Sequence, residues 1–240
     1  MDEITSDTFF EGRIRIKQHR NGYRFSIDAV LLAAHAGLHA GETALDLGTG
    51  CGIIPLLMAC RIPDAVIYGI EIQEDLAEIA LSNVRDNGME ERIHILYGDM
   101  KSLHHEMVPG PADLVVSNPP YRKLCSGRMN PHAQRAIARH EIRATLADVT
   151  ETARRMLNIS GRFVTIYPAE RLAELLGQMQ VSGIEPKHLR AVYSGWNTGA
   201  KLVIAEGVKG GRPGMKIGPP LVIYKEDGSY TEEVSRMFSL

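Results

Sequence analysis

The sequence predicts an α/β protein: a doubly wound, mostly parallel sheet of seven strands with an antiparallel strand at its edge, preceded by a short N-terminal β-hairpin. Three features predict it. Apolar runs of strand length recur along the chain, stretches with helical spacing separate them, and glycine or proline clusters mark the joints. Strands that are apolar throughout belong to parallel sheets covered by helices on both faces.

The elements follow in order. In "GRIRIKQHRNGYRF" Ile14 and Ile16 alternate with cations ahead of Asn21-Gly22, a pair that tolerates the positive φ of a tight hairpin turn, so residues 12–26 are expected to form two short strands. Ser26 can cap a helix through "IDAVLLAAHAGL" that stops near Gly37 and Gly41. Strands are expected at about 44–48, 66–71, 93–97, 112–116 and 162–167, with helices over 52–61, 74–87, 145–158 and 168–181. A last pair, near 189–193 and 201–206, is close enough in sequence to pair antiparallel at the sheet edge. Residues 1–43 therefore divide from 44–240 as a basic hairpin and helix packed on the main α/β core. The stretch "GVKGGRPGMKIGPP" is expected to be a mobile loop, and it lacks the G-x-x-x-x-G-K-[ST] spacing of a nucleoside triphosphate site.

Bulk properties narrow the classes. A chain of 240 residues suits one domain. It has no run of about 18 apolar residues and no charged-then-apolar leader pattern, so the expectation is a cytoplasmic protein without a membrane span. Three cysteines without C-x-x-C spacing argue against a disulfide framework or a zinc site, and the adjacent His104 and His105 read as a solvated loop, so no metal is expected. The net charge of −2 conceals an uneven distribution: segments 13–24, 122–143 and 201–216 hold 15 of the 27 Lys and Arg residues but 2 of the 29 Asp and Glu. If these segments converge, they form a basic face suited to a polyanion.

The chemistry gathers at the carboxyl ends of the strands, where ligands of such sheets bind. "LDLGTGCG" places Asp46 near a strand end and Gly48, Gly50 and Gly52 in the turn to the next helix, where the absence of Cβ atoms lets backbone approach a ligand. The spacing is G-x-G-x-G, because Ile53 stands where the dinucleotide fingerprint needs its third glycine. A carboxylate at Asp46 also repels a pyrophosphate and attracts an ammonium or sulfonium group, which suits S-adenosylmethionine better than NAD. Glu71 can accept from ribose hydroxyls and Asp99 from an adenine amine, with Ile72 and Met100 as apolar walls.

After the fourth core strand comes "SNPPY". Prolines at 119 and 120 hold their neighbours extended and bring no N–H, so the Asn118 amide oxygen and the Pro119 carbonyl can converge on one NH₂ group, over which Tyr121 can stack. Two acceptors on a conjugated nitrogen favour its pyramidal form and release its lone pair for attack, a stabilisation realised mainly in the transition state.

Taken together, "LDLGTGCG", "GIE", "GDM" and "NPPY" resemble the class I S-adenosylmethionine-dependent methyltransferases that modify amino groups, over about residues 26–206 of a Rossmann-like core. The resemblance implies cofactor contacts from Asp46, Gly48, Gly50, Gly52, Glu71, Ile72, Asp99 and Met100, with Asn118, Pro119, Pro120 and Tyr121 at the target nitrogen. "FFEGRIRIKQHRNGYRFSIDAVLLAAHA", "EGVKGGRPG" and "YKEDGSYTEEV" further resemble the bacterial family that methylates N6 of adenosine 37 in valine tRNA. That implies tRNA as partner, with Arg13, Arg15, Lys17, Arg20, Arg24, Arg122, Lys123 and Arg128 near its phosphates. Two other readings share these motifs: a glutamine-amide methyltransferase acting on a release factor, and a non-catalytic RNA-binding module on the same fold.

Overall fold

The computed structural model describes residues 4–20, 26–119 and 144–239. The order of elements is β1 (Ile4–Phe9), β2 (Ile14–His19), α1 (Ile27–His35), β3 (Thr43–Leu47), α2 (Ile53–Arg61), β4 (Val66–Glu71), α3 (Glu74–Asp86), β5 (Ile93–Tyr97), β6 (Ala112–Ser117), α4 (Leu146–Met156), β7 (Leu157–Pro168), α5 (Leu172–Val181), β8 (Ile184–Tyr193), β9 (Ala200–Lys209), β10 (Lys216–Ile217), β11 (Leu221–Val222) and α6 (Glu232–Arg236).

One large sheet runs β10-β8-β9-β7-β6-β3-β4-β5, with β11 also paired to β8. All seven expected core strands are present, from β3 to β9. The sheet counts nine because two strands of two residues, too short to leave a periodic signal, add to β8. β9 is the antiparallel member, and it lies between β7 and β8, with β10 and β11 beyond β8 at the border. The glycine- and proline-rich stretch expected as a loop contains the end of β9 and all of β10.

Alternation along the strands sorts side chains into two layers. Ala44, Ile67, Leu114, Val116, Val164 and Ile166 face a core shared with α1 and α2. Leu45, Leu47, Ile70, Val115 and Phe163 face the opposite core, under Val149, Ala153 and Met156 of α4 and Leu175 and Met179 of α5. α1 begins as expected: Ser26 accepts from the Asp28 amide, and Gly37 and Gly41 follow the helix at φ +61° and +78°.

An N-terminal hairpin is present, and it includes a strand, β1, ahead of the span expected from the sequence. β1 pairs with β2 across a turn from Phe10 to Arg13, while the turn expected at Asn21-Gly22 lies outside the described residues. Phe10 and Glu11 both take positive φ, a conformation that side chains disfavour. Tertiary contact offsets that cost, because the Phe10 ring is buried and the Arg61 guanidinium sits 4.7 Å above it. With Phe9, Ile14 and Ile16, Phe10 joins the core of α1 and α2.

Candidate active site at the switch point of the sheet

From β3 the chain winds one way to β4 and β5, and then returns to the other side as β6 and β7. The carboxyl ends of β3 and β6 therefore flank a crevice. β3 ends in the turn Gly48–Gly52, where Gly48, Gly50 and Gly52 take φ of +79°, +57° and +82°. Gly52 is tightly placed, since a Cβ there would stand 3.2 Å from that of Ala80 on α3.

Asp46 lies opposite Gly69 and Val116 and is fully buried, and neither carboxylate oxygen has a hydrogen-bond partner. Burial pushes its pKa up to about 7; the nearby Thr49 hydroxyl opposes the rise and the Glu71 charge adds to it. Thr49 Oγ1 is itself buried without a bonded partner, wedged so tightly over β4 that a Cβ on Gly69 would approach it to 2.8 Å. A buried carboxylate without donors is stabilised in its charged form by a cation beside it. These orphaned groups fit a cofactor carrying an ammonium or sulfonium.

Glu71 braces the same turn. Its Oε2 accepts from the Gly50 amide and its Oε1 from the Gln73 amide, both at 2.9 Å, which leaves further lone pairs on each oxygen. Beside it Gly48, Ile70, Ile72, Gly98, Asp99, Met100 and Ala144 line one cleft. Four residues expected at the cofactor thus meet there, and Ile70, Gly98 and Ala144 join them. Asp99 also caps a 3-10 turn through the Lys101 amide at 3.0 Å.

β6 ends at Ser117, which is fastened on both sides. Its hydroxyl donates to the Leu47 carbonyl of β3, and its carbonyl accepts from the Thr165 hydroxyl of β7, each at 2.8 Å and buried. Asn118 follows half-buried and Pro119 buried, at the mouth of the crevice. Pro120, Tyr121, Arg122, Lys123, Arg128 and Arg24 lie outside the described residues.

A methyltransferase-domain family model matches residues 38–203. The tRNA1(Val) (adenine(37)-N6)-methyltransferase of Porphyromonas gingivalis is 38% identical over 178 residues, which cover 72% of this chain and 69% of that protein. The chain belongs to this methyltransferase family. The similarly named protein of Pedobacter heparinus is 31% identical over 172 residues, covering 72% and 71% of the two chains. Among solved structures, a predicted O-methyltransferase from Agrobacterium tumefaciens superposes with a TM-score of 0.72 at 20% identity, over 88% of this chain and 94% of that one, which shows the shared fold.

Several residues that shape the site of this methyltransferase escape sequence reasoning. Arg155 of α4 donates to the carbonyls of Met100, Lys101 and Leu103 at 3.0–3.1 Å, and the Thr152 hydroxyl donates to that of Met100 at 3.3 Å, so α4 holds the wall on which Met100 stands. Nothing in the sequence marks Arg155. Thr165 has a signal, being a hydroxyl inside the apolar run "FVTIY".

Of the three basic segments, 122–143 and the end of 13–24 lie outside the described residues. Arg13, Arg15 and Lys17 line a cleft with Asp86 and Asn87 beside α3, which packs on β4 and β5. The segment 201–216 lies along β9 and β10, over the other half of the sheet. Lys17 is also paired with Asp86 at 2.6 Å. No helix among the described residues is long and apolar enough to cross a membrane.

Proposed function

We propose that this chain transfers a methyl group from S-adenosylmethionine to N6 of an adenine in tRNA, beside the anticodon; the names of its relatives give N6 of adenine 37 in tRNA1(Val) as the position those proteins methylate. The observation that carries the proposal is the juxtaposition of a fully buried, unpartnered Asp46 on β3 with the Asn118-Pro119 corner at the end of the adjacent β6. The cofactor, when bound, supplies an electrophilic methyl group on a sulfonium.

Each residue then has a task. Asp46 receives the positive charge of the methionine part, and the Gly48–Gly52 turn gives backbone access to it. Glu71 takes the ribose hydroxyls with its remaining lone pairs, and Asp99 accepts from the cofactor's adenine between Ile72 and Met100. The Asn118 side-chain oxygen and the Pro119 carbonyl accept the two hydrogens of the target amine, orient it in line and favour its pyramidal form. Tyr121 stacks on the extruded base. Arg13, Arg15, Lys17 and Arg20 on the hairpin, with Arg24, Arg122, Lys123 and Arg128, meet phosphates. The methylated nitrogen releases its proton after attack, so the corner needs no general base.

The test uses cofactor labelled in its methyl group, incubated with unmodified tRNA and cell protein. Label recovered as N6-methyladenosine is the expected result. Label in another nucleoside, or in protein glutamine, refutes the assignment.

A further inference from the structure

β2 has two edges. One pairs with β1, where Arg15 stands opposite Thr8 and Lys17 opposite Ser6. The other edge is met by the side of a helix. Asn87, which caps the C-terminus of α3, accepts from the Arg15 amide at 2.9 Å and donates to the Arg15 carbonyl at 2.8 Å. One turn earlier, Asn83 accepts from the Lys17 amide at 2.8 Å and donates to the Lys17 carbonyl at 2.9 Å. A carboxamide carries the same donor and acceptor as a peptide group, so α3 offers β2 two rungs of a ladder without a strand.

The two rungs are not equivalent. Asn87 bonds to β2 and back to its own helix, at the Asn83 carbonyl. Asn83 is fully buried, and its second N–H donates at 2.8 Å to the carbonyl of Cys51, between Gly50 and Gly52 in the turn after β3. The Gly50 amide is the one held by Glu71. One carboxamide therefore touches both the strand that carries Arg15 and Lys17 and the turn that receives the cofactor.

We infer that Asn83 is a positioning residue that couples the RNA-facing hairpin to the cofactor turn, so that each ligand tightens the binding of the other. The inference rests on the proposed tRNA substrate. Its physical basis is that the Cys51 carbonyl and the Lys17 peptide share a single rigid partner. A cofactor settling on the turn restrains Asn83, and Asn83 restrains the register and tilt of β2. By linkage, RNA that fixes β2 restrains the turn to the same extent.

The test measures the affinity of sinefungin, a non-reactive cofactor analogue, by calorimetry with and without an unmodified valine-tRNA transcript. In the wild-type chain tRNA is expected to tighten sinefungin binding by about fivefold or more, the lower end of usual allosteric couplings. In Asn83→Ala the ratio falls to within about twofold of unity, whereas Asn87→Ala, which loosens β2 but leaves the Cys51 bond, keeps it near fivefold. Hydrogen exchange on the wild-type chain gives an independent readout should Asn83→Ala not fold. Sinefungin alone is expected to slow exchange of the Lys17 amide by about fivefold and that of the Arg15 amide by less. An unchanged Lys17 amide, or a folded Asn83→Ala with the wild-type ratio, overturns the coupling. Tight tRNA binding without any ratio in the wild-type chain overturns the coupling alone, and absence of tRNA binding overturns the substrate reading together with it.

Discussion

Asp46→Asn separates what this carboxylate does for folding from what it does for binding. In the cofactor-stripped protein the group is buried without a donor, and its pKa stands near 7 against an ordinary value of 3.8. The unfolded chain therefore ionises it first as pH rises, and the folded state gives up stability between roughly pH 4 and pH 7. The whole shift corresponds to about 4 kcal/mol, of which about 2–3 kcal/mol falls between pH 5 and pH 8. Asparagine does not titrate, so this part of the pH dependence vanishes in the variant. The stability of Asp46→Asn relative to wild type should rise by about 2–3 kcal/mol from pH 5 to pH 8, read as urea midpoints of the stripped proteins. Comparing the difference at two pH values cancels the cost of burying the amide. Cofactor affinity should move the other way: the variant binds more weakly, and wild-type affinity climbs with pH until it levels near pH 7, as the cation selects the ionised carboxylate. Parallel stability curves for the two proteins would show that Asp46 is solvated or bonded, and the argument for a cation beside it would fail.

Other perturbations probe the remaining parts of the site. Asn118→Ala should lower single-turnover methyl transfer by about 10²–10³ while sinefungin affinity stays within about twofold, as for loss of one preorganised hydrogen-bond partner; equal rates would remove Asn118 from the chemistry. Gly69→Ala would press a Cβ to 2.8 Å from Thr49 Oγ1 and 3.0 Å from its Cβ and Cγ2, and should cost about 1–3 kcal/mol in urea denaturation. Thr165→Val strips the donor from the buried Ser117 carbonyl and should cost about 1–3 kcal/mol, with a fall in turnover that a shift of cofactor affinity does not accompany. Arg15→Ala should weaken tRNA binding and reduce the slope of log K against log salt by about 1, measured by fluorescence anisotropy across salt concentrations.

The core strands and helices are legible in the sequence because each pairs a clean apolar period with glycine punctuation, and β4 and β5 occupy the spans expected for them. The turn between β1 and β2 leaves no signal in the sequence, because it holds Phe10 and Glu11 at a positive φ that local rules disfavour, and the turn expected at Asn21-Gly22 lies outside the described residues. The distant Arg61 and the core of α1 and α2 offset the cost of that conformation. Residue types at the site can be read, but their isolation cannot. That Asp46 is acidic is plain; that nothing donates to it depends on how β3 packs between β4 and β6. Arg155 and Asn83 look like ordinary surface residues of helices, since their partners are backbone carbonyls supplied by segments about 50 and 30 residues away.

The chain after β9 hems its own sheet. β10 and β11 lie along β8, opposite His188, Leu189, Val192 and Tyr193, and the Arg190 guanidinium tacks this strip down through the Pro219 carbonyl and Glu233. A bare border of that length would invite a strand from a neighbouring molecule. That strip pairs with four of the ten residues of β8, whereas at the opposite border β5, five residues long, ends in the exposed Tyr97. The tail after β9 thus leaves less of this border open to a strand from another molecule.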